Sequence, residues 1–450
     1  MEAKLFFTSK DYRKAKEEIF PSLLVPGATM LKVSENYIEN FRGFGVAITP
    51  SSCYELSLME SEKRRELLKH LYSKEGLGMS IARICIASSD YSPEVYSYDD
   101  VDSDITLEHF SVKRDERYVI PIIREILEIN PELYLFASPW SPPYWMKTGK
   151  SMCGGYMREQ YVDCYADYIV KFIKAYAEYG IKISAITPQN ECNNQQTGRM
   201  PACVWHPEIE AKFVSVLREK LNQNAMDVKI WMYDHNFSDT RRVLWSLEHC
   251  DGLKEACDGV AFHYYSGTIE ETRVVKETYP ELDLHFTEGG PRLTDNYEVD
   301  WCKWGIMISK AIKTGYCSFT GWNLMLNEKG GPNVGPFIGT CGGFVTRDSQ
   351  TGDLRYSGQY QAYSHIAPYI TPSSKLYHIT VNDNFDIKMV QYPKENKKIE
   401  GILIDNSDGK LMVVLMNPNA SGMQTQIEIN GVLWYIELHA ESITTVEISE

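Results

Sequence analysis

Short runs of β-branched and aromatic residues alternate with longer segments of helical periodicity between about residues 41 and 370. Eight of these runs predict strands, namely FRGFGVAIT (41–49), MSIARICIAS (79–88), LYLFASPW (133–140), ISAITPQNE (183–191), VKIWMYDHN (228–236), GVAFHYY (259–265), DLHFTEGG (283–290) and CSFTGWNLML (317–326). Amphipathic helices are predicted between them at 61–73, 118–129, 158–180, 207–223 and 299–315. Because alternating strands and helices imply parallel strands with crossover helices, the eight units favour an α/β fold of the (β/α)8 TIM barrel type.

The pattern changes after about residue 371. Short alternating runs there predict strands at IKMVQYP, IEGILID, KLMVVLMN, TQIEING, VLWYIEL and ITTVEIS, separated by turn signals such as NSDG and NPNASG. We expect an attached antiparallel β-sandwich. The strand-like runs KLFFTS and TMLKVS near the N-terminus are expected to join it, since chain termini often lie close together. The predicted domains are N-terminal strands (1–40), the catalytic barrel (41–370) and the C-terminal sandwich (371–450).

Composition narrows the function classes. The 450 residues include 46 Lys and Arg against 61 Asp and Glu, a net charge of −15. This charge argues against nucleic acid and anionic membrane surfaces as partners. Hydrophobic residues make up 43% of the chain, enough for a sizeable core.

The cysteines and the N-terminus bear on location. The 11 cysteines form no CxxC pair and no Cys/His cluster, so free thiols in a reducing compartment are expected and a structural zinc site is not. No apolar run approaches the ~18 residues of a membrane span. The N-terminus lacks the pattern of a signal peptide, which predicts a cytoplasmic protein, although removal of a secretion signal would leave the same sequence. The oligomeric state stays open.

The ends of the predicted strands carry candidate chemistry. In a (β/α)8 barrel the active site lies at the C-terminal ends of the strands. Polar, acidic and aromatic residues occur at or just after seven of these ends, and they include Asp90, Trp140, Asn190, Glu191, Asp234, His235, His263, Tyr265, Glu288 and Trp322.

Two of these residues, Glu191 and Glu288, form a pair suited to glycoside hydrolysis. One carboxylic acid protonates the leaving oxygen and the other carboxylate attacks the sugar; a gap of about 5 Å gives retention and roughly 6.5–9.5 Å gives inversion. At ~5 Å, mutual repulsion of about 3 kcal/mol is expected to keep one glutamate protonated while the other stays ionised. A lone strand-end glutamate is more often a solvated group, but Asn190 and the Gly289-Gly290 pair favour the functional interpretation, the glycines by allowing close backbone approach beside an open pocket.

Several motifs resemble glycoside hydrolase family 30, the glucosylceramidase family, over essentially the whole chain. They are GFGVAIT, SIARICIASSDYS, FASPWSPPYWMKTG, ITPQNE, FHYY, FTEGGP and GWNLMLNEKGGPN. The resemblance implies a retaining β-glycosidase, with β-glucosides and glucosylceramide-type sphingolipids among its substrates. GFGVAITPSS and TEGG depart from the family's common GFGGAxTDA and SEAC, which leaves the substrate open.

The resemblance also implies roles for individual residues. Glu191 resembles the family acid/base and Glu288 the nucleophile, while Asn190 is expected to bond the sugar 2-hydroxyl. Asp90, Trp140 and Trp322 resemble sugar-binding residues, and Tyr265 resembles an aromatic hydroxyl beside the nucleophile.

Other residues have two interpretations each. Arg83, inside an apolar strand, either holds Glu288 ionised or forms a structural ion pair. His263 is expected to orient a carboxylate rather than serve only as a core histidine, and Asp234 and His235 are expected to support the site. The aromatic side chains Tyr144, Trp145 and Trp205 either stack on an aglycone or cover the barrel mouth.

The sequence thus predicts a glycoside hydrolase whose partner is a small-molecule or oligosaccharide β-glycoside. No metal and no organic cofactor are expected, because two carboxylates supply both proton and nucleophile. Alternatives are an endo-β-1,6-glucanase or β-xylosidase, and, outside enzymes, a carbohydrate-binding protein on a degenerate barrel.

Overall fold

The computed structural model describes residues 2–11, 13–196, 198–337, 339–382 and 399–449, without the side chains of 2 and 13–17. The α-helices are α1 (Pro50–Ser57), α2 (Ser61–Tyr72), α3 (Val119–Ile129), α4 (Val162–Glu178), α5 (Pro207–Gln223), α6 (Thr240–His249), α7 (Leu253–Ala256), α8 (Arg273–Thr278), α9 (Trp301–Thr314) and α10 (Gly358–Ile366). The strands are β1 (Glu2–Thr8), β2 (Arg13–Ile19), β3 (Thr29–Ile38), β4 (Phe44–Ile48), β5 (Ile81–Ile86), β6 (Tyr134–Pro139), β7 (Cys153–Tyr156), β8 (Ala185–Ile186), β9 (Ala202–Val204), β10 (Lys229–Asn236), β11 (Gly259–His263), β12 (Asp283–Glu288), β13 (Tyr316–Asn323), β14 (Met325–Asn327), β15 (Val345–Arg347), β16 (Leu354–Tyr356), β17 (Lys375–Val381), β18 (Glu400–Asp405), β19 (Lys410–Asn417), β20 (Met423–Ile429), β21 (Val432–Leu438) and β22 (Ser442–Ser449).

Eight strands close into a parallel barrel in the order β4-β5-β6-β8-β10-β11-β12-β13. Each coincides with one of the eight predicted strands, so the (β/α)8 prediction is confirmed. All six residues of β5 are buried, as expected for a parallel strand covered on both faces. Helix α5 begins with Pro207 in its first turn, followed by Glu208 and Glu210, which favour a helix N-terminus.

A second sheet has nine strands in the order β2-β1-β22-β19-β18-β17-β3-β20-β21. Leu5 of β1 and Ile436 of β21, near opposite ends of this order, belong to one buried apolar cluster, so the sheet folds over on itself. The expected antiparallel pairing is wrong at one place. Strand β3 lies between β17 and β20, and it runs antiparallel to β17 but parallel to β20.

Contacts group the chain into two compact units. One unit comprises residues 44–294 and 318–355 and contains the closed barrel. The other comprises residues 1–43, 295–317 and 356–450, and contains the nine-stranded sheet with α9 and α10. The predicted strand IKMVQYP (387–393) lies outside the described residues. None of the helices in the described part of the chain is both long and apolar enough to cross a bilayer.

Candidate active site

The barrel interior is filled in two layers of different character. One layer is apolar and aromatic, with Phe136 and Trp231 packed together and the Trp231 ring stacked on His285 at 3.6 Å between centroids. The layer at the carboxyl ends of the strands is polar and charged. It is built around Arg83 of β5, whose side chain is fully buried.

Arg83 forms hydrogen bonds with several side chains of the polar layer. Its guanidinium donates to Glu288, to Asp234 Oδ2 at 2.7 Å and to Asn190 Oδ1 at 2.8 Å. It also lies 4.8 Å from the ring centre of Trp140, a cation–π distance. The sequence left a functional and a structural role open, and the structure combines them, because one guanidinium binds both Glu288 and the structural carboxylate Asp234.

Glu288 is the last residue of β12 and is 5% exposed. Burial raises the pKa of Glu288, and the charges of His263 and Arg83 offset this only in part, as does a hydrogen bond from Tyr265. A Cβ on Gly289 would meet the ring of Phe286 at 2.7 Å, and one on Gly290 would meet Trp322 at 2.8 Å. The glycines therefore allow aromatic rings to pack against the turn that follows Glu288, rather than opening the pocket.

Glu191 lies in a turn and not on a strand. The predicted strand ISAITPQNE is much shorter, since β8 ends at Ile186. The Thr187 amide still donates to the Ala137 carbonyl at 3.0 Å, but Pro188 has no backbone N–H and ends the ladder. The amide of Glu191 instead donates to the Asp234 carbonyl at 2.9 Å, with φ of 53° at Glu191. Its Oε2 accepts from Asn194 Nδ2 at 2.5 Å.

His263, the last residue of β11, lies between two carboxylates. Its Nε2 lies 3.0 Å from Asp234 Oδ1 and its Nδ1 lies 3.4 Å from Glu191 Oε1. Burial acts to lower the pKa of His263, but Glu288 and Asp234 outweigh it and raise the pKa to about 9. His263 is therefore protonated at neutral pH and places a positive charge beside the Glu191 carboxylate.

The pKa of Glu191 is lowered and that of Glu288 is raised, so repulsion between the two glutamates raises the pKa of Glu288 and not that of Glu191. Burial acts to raise the pKa of Glu191, but His235, His263 and Asn194 outweigh it and lower the pKa to about 2. Repulsion from Glu288 therefore does not protonate Glu191, because the neighbouring His263 imidazolium holds the proton instead. His235 Nε2 lies 3.6 Å from Glu191 Oε1, and burial lowers the pKa of His235 to about 4.

Asp234 is fully buried beneath this group. Its carboxylate accepts hydrogen bonds from three hydroxyls, those of Ser138, Thr187 and Thr287, in addition to Arg83. Burial acts to raise the pKa of Asp234, and Arg83 and His263 outweigh it and hold the pKa well below its ordinary range. Sequence reasoning missed the three hydroxyl donors, although each is placed at or next to a strand end.

A cavity of about 320 Å³ opens over this polar layer. It is lined by most of the predicted site residues, namely Asp90, Trp140, Asn190, Glu191, His235, Tyr265, Glu288 and Trp322. Tyr91, Met200, Phe337 and Cys341 also line it and were not predicted, because they lie on long loops whose course carries no sequence signal. Arg83, Asp234 and His263 do not line the cavity and lie beneath it.

Two features of the cavity suit a sugar. Trp140 and Trp322 are stacked at 5.3 Å between ring centres, which provides a flat apolar wall. Asp90, in the loop after β5, has a buried Oδ1 with no hydrogen-bond partner. Burial and then the charges of Glu288 and Glu191 raise the pKa of Asp90.

Tyr144, Trp145 and Trp205 were expected either to stack on an aglycone or to cover the barrel mouth. Trp145 and Trp205 are buried covering residues. Trp145 is buried and its indole N–H donates to the Asp99 carbonyl. Trp205 is buried and donates to Gln189 Oε1. Neither these two nor Tyr144 lines the cavity.

Glu191, His263 and Glu288 are close enough to hold a metal ion, since one ligand atom of each lies within 4.8 Å of the others. The same spacing places an oxygen of Glu191 within 4.8 Å of an oxygen of Glu288. Positive charge from Arg83 and His263 already balances these carboxylates. The arrangement is a pair of facing carboxylates with a proton-carrying imidazole beside them.

The chain matches the glycosyl hydrolase family 30 TIM-barrel domain over residues 41–340. The protein belongs to glycosyl hydrolase family 30 and is a glycoside hydrolase. Among similar proteins, the lysosomal acid glucosylceramidase of Mus musculus is 27% identical over 434 residues, covering 89% of this chain and 82% of the relative. An endo-1,6-β-D-glucanase of Neurospora crassa is 25% identical over 420 residues, covering 90% and 85%. The solved structure of an endo-β-1,6-glucanase superposes with a TM-score of 0.84 at 26% identity, covering all of both chains.

Proposed function

We propose that this family 30 enzyme is a retaining β-glycosidase, with Glu288 as nucleophile and Glu191 as acid/base. The observation that carries the proposal is the approach of the two carboxylates to within 4.8 Å across a cavity walled by tryptophans. Retaining glycosidases hold their carboxyl groups about 5–5.5 Å apart, whereas inverting enzymes leave roughly 6.5–9.5 Å for a water molecule.

In the first step the Glu288 carboxylate attacks the anomeric carbon as the bond to the leaving oxygen breaks. Glu191 gives that oxygen a proton, and the sugar is left as an ester on Glu288. In the second step Glu191 takes a proton from water, the water oxygen attacks the same carbon, and Glu288 leaves. Two displacements restore the β configuration.

The proton of the first step belongs to a coupled pair. His263 Nδ1 lies 3.4 Å from Glu191 Oε1, so one proton can reside on either group without changing the net charge of the site. When a sugar covers Glu288 and excludes water, the uncharged form with the proton on Glu191 is favoured over a buried ion pair. Asn190, whose Oδ1 already accepts from Arg83, is left with its amide NH₂ to donate to a sugar hydroxyl.

We propose a β-glucoside as substrate. The names of two similar proteins, a glucosylceramidase and an endo-1,6-β-D-glucanase, both refer to glucose-containing substrates. A cavity of about 320 Å³ is near the lower end of the range for ligand pockets, which favours one sugar with a short aglycone over a long polymer.

The test is hydrolysis of phenyl β-glucoside followed by proton NMR. We expect β-glucose to appear first and to convert slowly to the mixture of anomers; α-glucose appearing first would contradict the proposal. Parallel assays on β-1,6-linked glucose oligosaccharides, glucosylceramide and phenyl β-xyloside then assign the aglycone and the sugar. Binding without turnover on all four substrates would favour the carbohydrate-binding alternative.

A further inference from the structure

Glu191 and two residues beside it have backbone conformations that ordinary side chains rarely adopt. The φ angles of Tyr233, Asp234 and Glu191 are 77°, 55° and 53°. Positive φ in a residue other than glycine is strained and persists only where surrounding contacts enforce it. All three residues lie in the part of the barrel that sets the position of Glu191.

Tyr233 and Asp234 form a bulge in β10. The register with β11 shifts between Tyr233 and His235, so that Asp234 is the extra residue. The bulge turns the Asp234 carboxylate into the barrel, toward Arg83 and His263. Its carbonyl accepts the Glu191 amide at 2.9 Å, so the bulge also fixes the turn that carries Glu191.

The contact that holds the bulge comes from α5. Glu210 is 1% exposed, and its Oε1 accepts the Tyr233 amide at 2.9 Å. Its Oε2 accepts from Arg242 of α6 at 2.6 Å, and the Cys192 thiol is also a hydrogen-bond neighbour of the Glu210 carboxylate. Without Glu210 the Tyr233 N–H would be a buried donor with no acceptor at this place, and the strained bulge would lose its anchor.

Arg242 is connected to the segment that follows Glu191 through two further hydrogen bonds. Arg242 donates to the Trp205 carbonyl at 2.8 Å, and the Trp205 amide donates to the Cys192 carbonyl at 2.7 Å. Cys192 directly follows Glu191. The backbone of Glu191 is thereby tied on one side to the bulge and on the other to the segment that Arg242 holds.

We infer that the buried pair Glu210–Arg242 is a positioning device for Glu191. Neither side chain touches the cavity, and both act through backbone groups. The inference rests on the proposed role of Glu191 as acid/base. Its consequence is selective: loss of the pair impairs proton transfer to the leaving group far more than attack by Glu288, which Arg83 and Tyr265 still hold directly.

The test compares phenyl β-glucoside, which needs a proton on its leaving group, with 2,4-dinitrophenyl β-glucoside, which does not. The double variant E210M/R242M removes the anchor without leaving one buried charge unpaired. We expect kcat/KM to fall about 100-fold on the phenyl substrate and less than about threefold on the dinitrophenyl substrate, since general acid catalysis contributes about 10²–10⁴. E210Q retains an oxygen acceptor for Tyr233 and is expected to stay within about fivefold of wild type on both substrates.

The matched control is D258M/R218M. Asp258 accepts the Ile230 amide at 2.9 Å and pairs with Arg218, the same kind of anchor at the opposite end of β10. The D258M/R218M variant is expected to have a lower melting temperature. Its kcat/KM is expected to change by the same factor on both substrates. If E210M/R242M behaves in the same way, the pair is merely structural and the inference is wrong. If the wild-type protein hydrolyses neither substrate, the proposed function itself fails and takes the inference with it.

Discussion

Nδ1 of His263 lies 3.4 Å from Oε1 of Glu191. The pKa of His263 is raised to about 9 and that of Glu191 is lowered to about 2, so their shared proton is present below about pH 9 and is lost above it. We expect kcat/KM to fall as the pH rises through this value. In H263N only Glu191 can hold the proton, and the alkaline limb of the pH profile is expected to move to lower pH by more than about one unit.

His235 provides the matched control for that profile. It also faces Glu191, but burial lowers its pKa to about 4, so it is neutral throughout the working range. H235N should leave the alkaline limb in place. A profile in which H263N keeps its alkaline limb near pH 9 would show that His263 does not share the proton.

Removal of the acid/base carboxylate gives a second prediction. In E191A the first step with 2,4-dinitrophenyl β-glucoside needs no proton, so the sugar accumulates as an ester on Glu288. Azide, which needs no base, is expected to raise turnover at least about tenfold and to yield β-glucosyl azide. The measurement is the rate against azide concentration with product identification. An α-azide, or no acceleration on any activated substrate, would count against the assignment.

Arg83 is expected to be essential for stability as well as for the site. R83M leaves the buried Asp234 and Glu288 with His263 as their remaining counterion, and removal of one partner from a buried ion pair typically costs about 3–5 kcal/mol. R64M, which breaks the more exposed pair with Glu125, should cost about 1 kcal/mol or less. Thermal unfolding of the two variants side by side measures the difference. Equal melting temperatures would show that the ion pairs of Arg83 with Asp234 and Glu288 do not stabilise the fold more than a partly exposed pair does.

Asp90 is expected to accept a hydrogen bond from the substrate. Its buried Oδ1 has no partner in the protein, and because the pKa of Asp90 is raised, the energy of an ordinary hydrogen bond applies, about 0.5–1.5 kcal/mol. D90A should lower kcat/KM on phenyl β-glucoside roughly 2- to 13-fold by that energy. One deoxyglucoside, lacking the hydroxyl that Asp90 binds, should lose no further activity on D90A. Equal losses on the complete series of monodeoxy substrates would place Asp90 outside the sugar site.

The barrel was predictable because each strand is a short apolar run closed by polar residues, and the site was predictable because those residues meet at one rim. Glu288 follows directly from this pattern. The path of Glu191 was not predictable, since β8 ends at Ile186 and a turn carries the glutamate. The bulge at Tyr233 and Asp234 was hidden as well, because its anchor Glu210 lies on a helix far along the chain and reads as an ordinary first-turn acid.

The protonation states of Glu191 and Glu288 also could not be predicted from the sequence. Two glutamates alone would repel each other and share one proton. The actual balance depends on Arg83, His263 and Asn194, whose distances from the carboxylates only the fold determines. The sequence also predicts β3 as a strand. Its parallel pairing with β20 depends on which strands lie beside it in the sheet, and the sequence of β3 does not indicate this.

Covalent trapping tests the central claim most directly. 2,4-Dinitrophenyl 2-deoxy-2-fluoro-β-glucoside slows both steps but keeps a good leaving group, so the glycosyl-enzyme should persist long enough for peptide mass spectrometry. We predict one fluorosugar per chain, attached to Glu288 and absent in E288Q. A label on another carboxylate, or a rapid inactivation that E288Q shares, would contradict the assignment of Glu288 as the nucleophile.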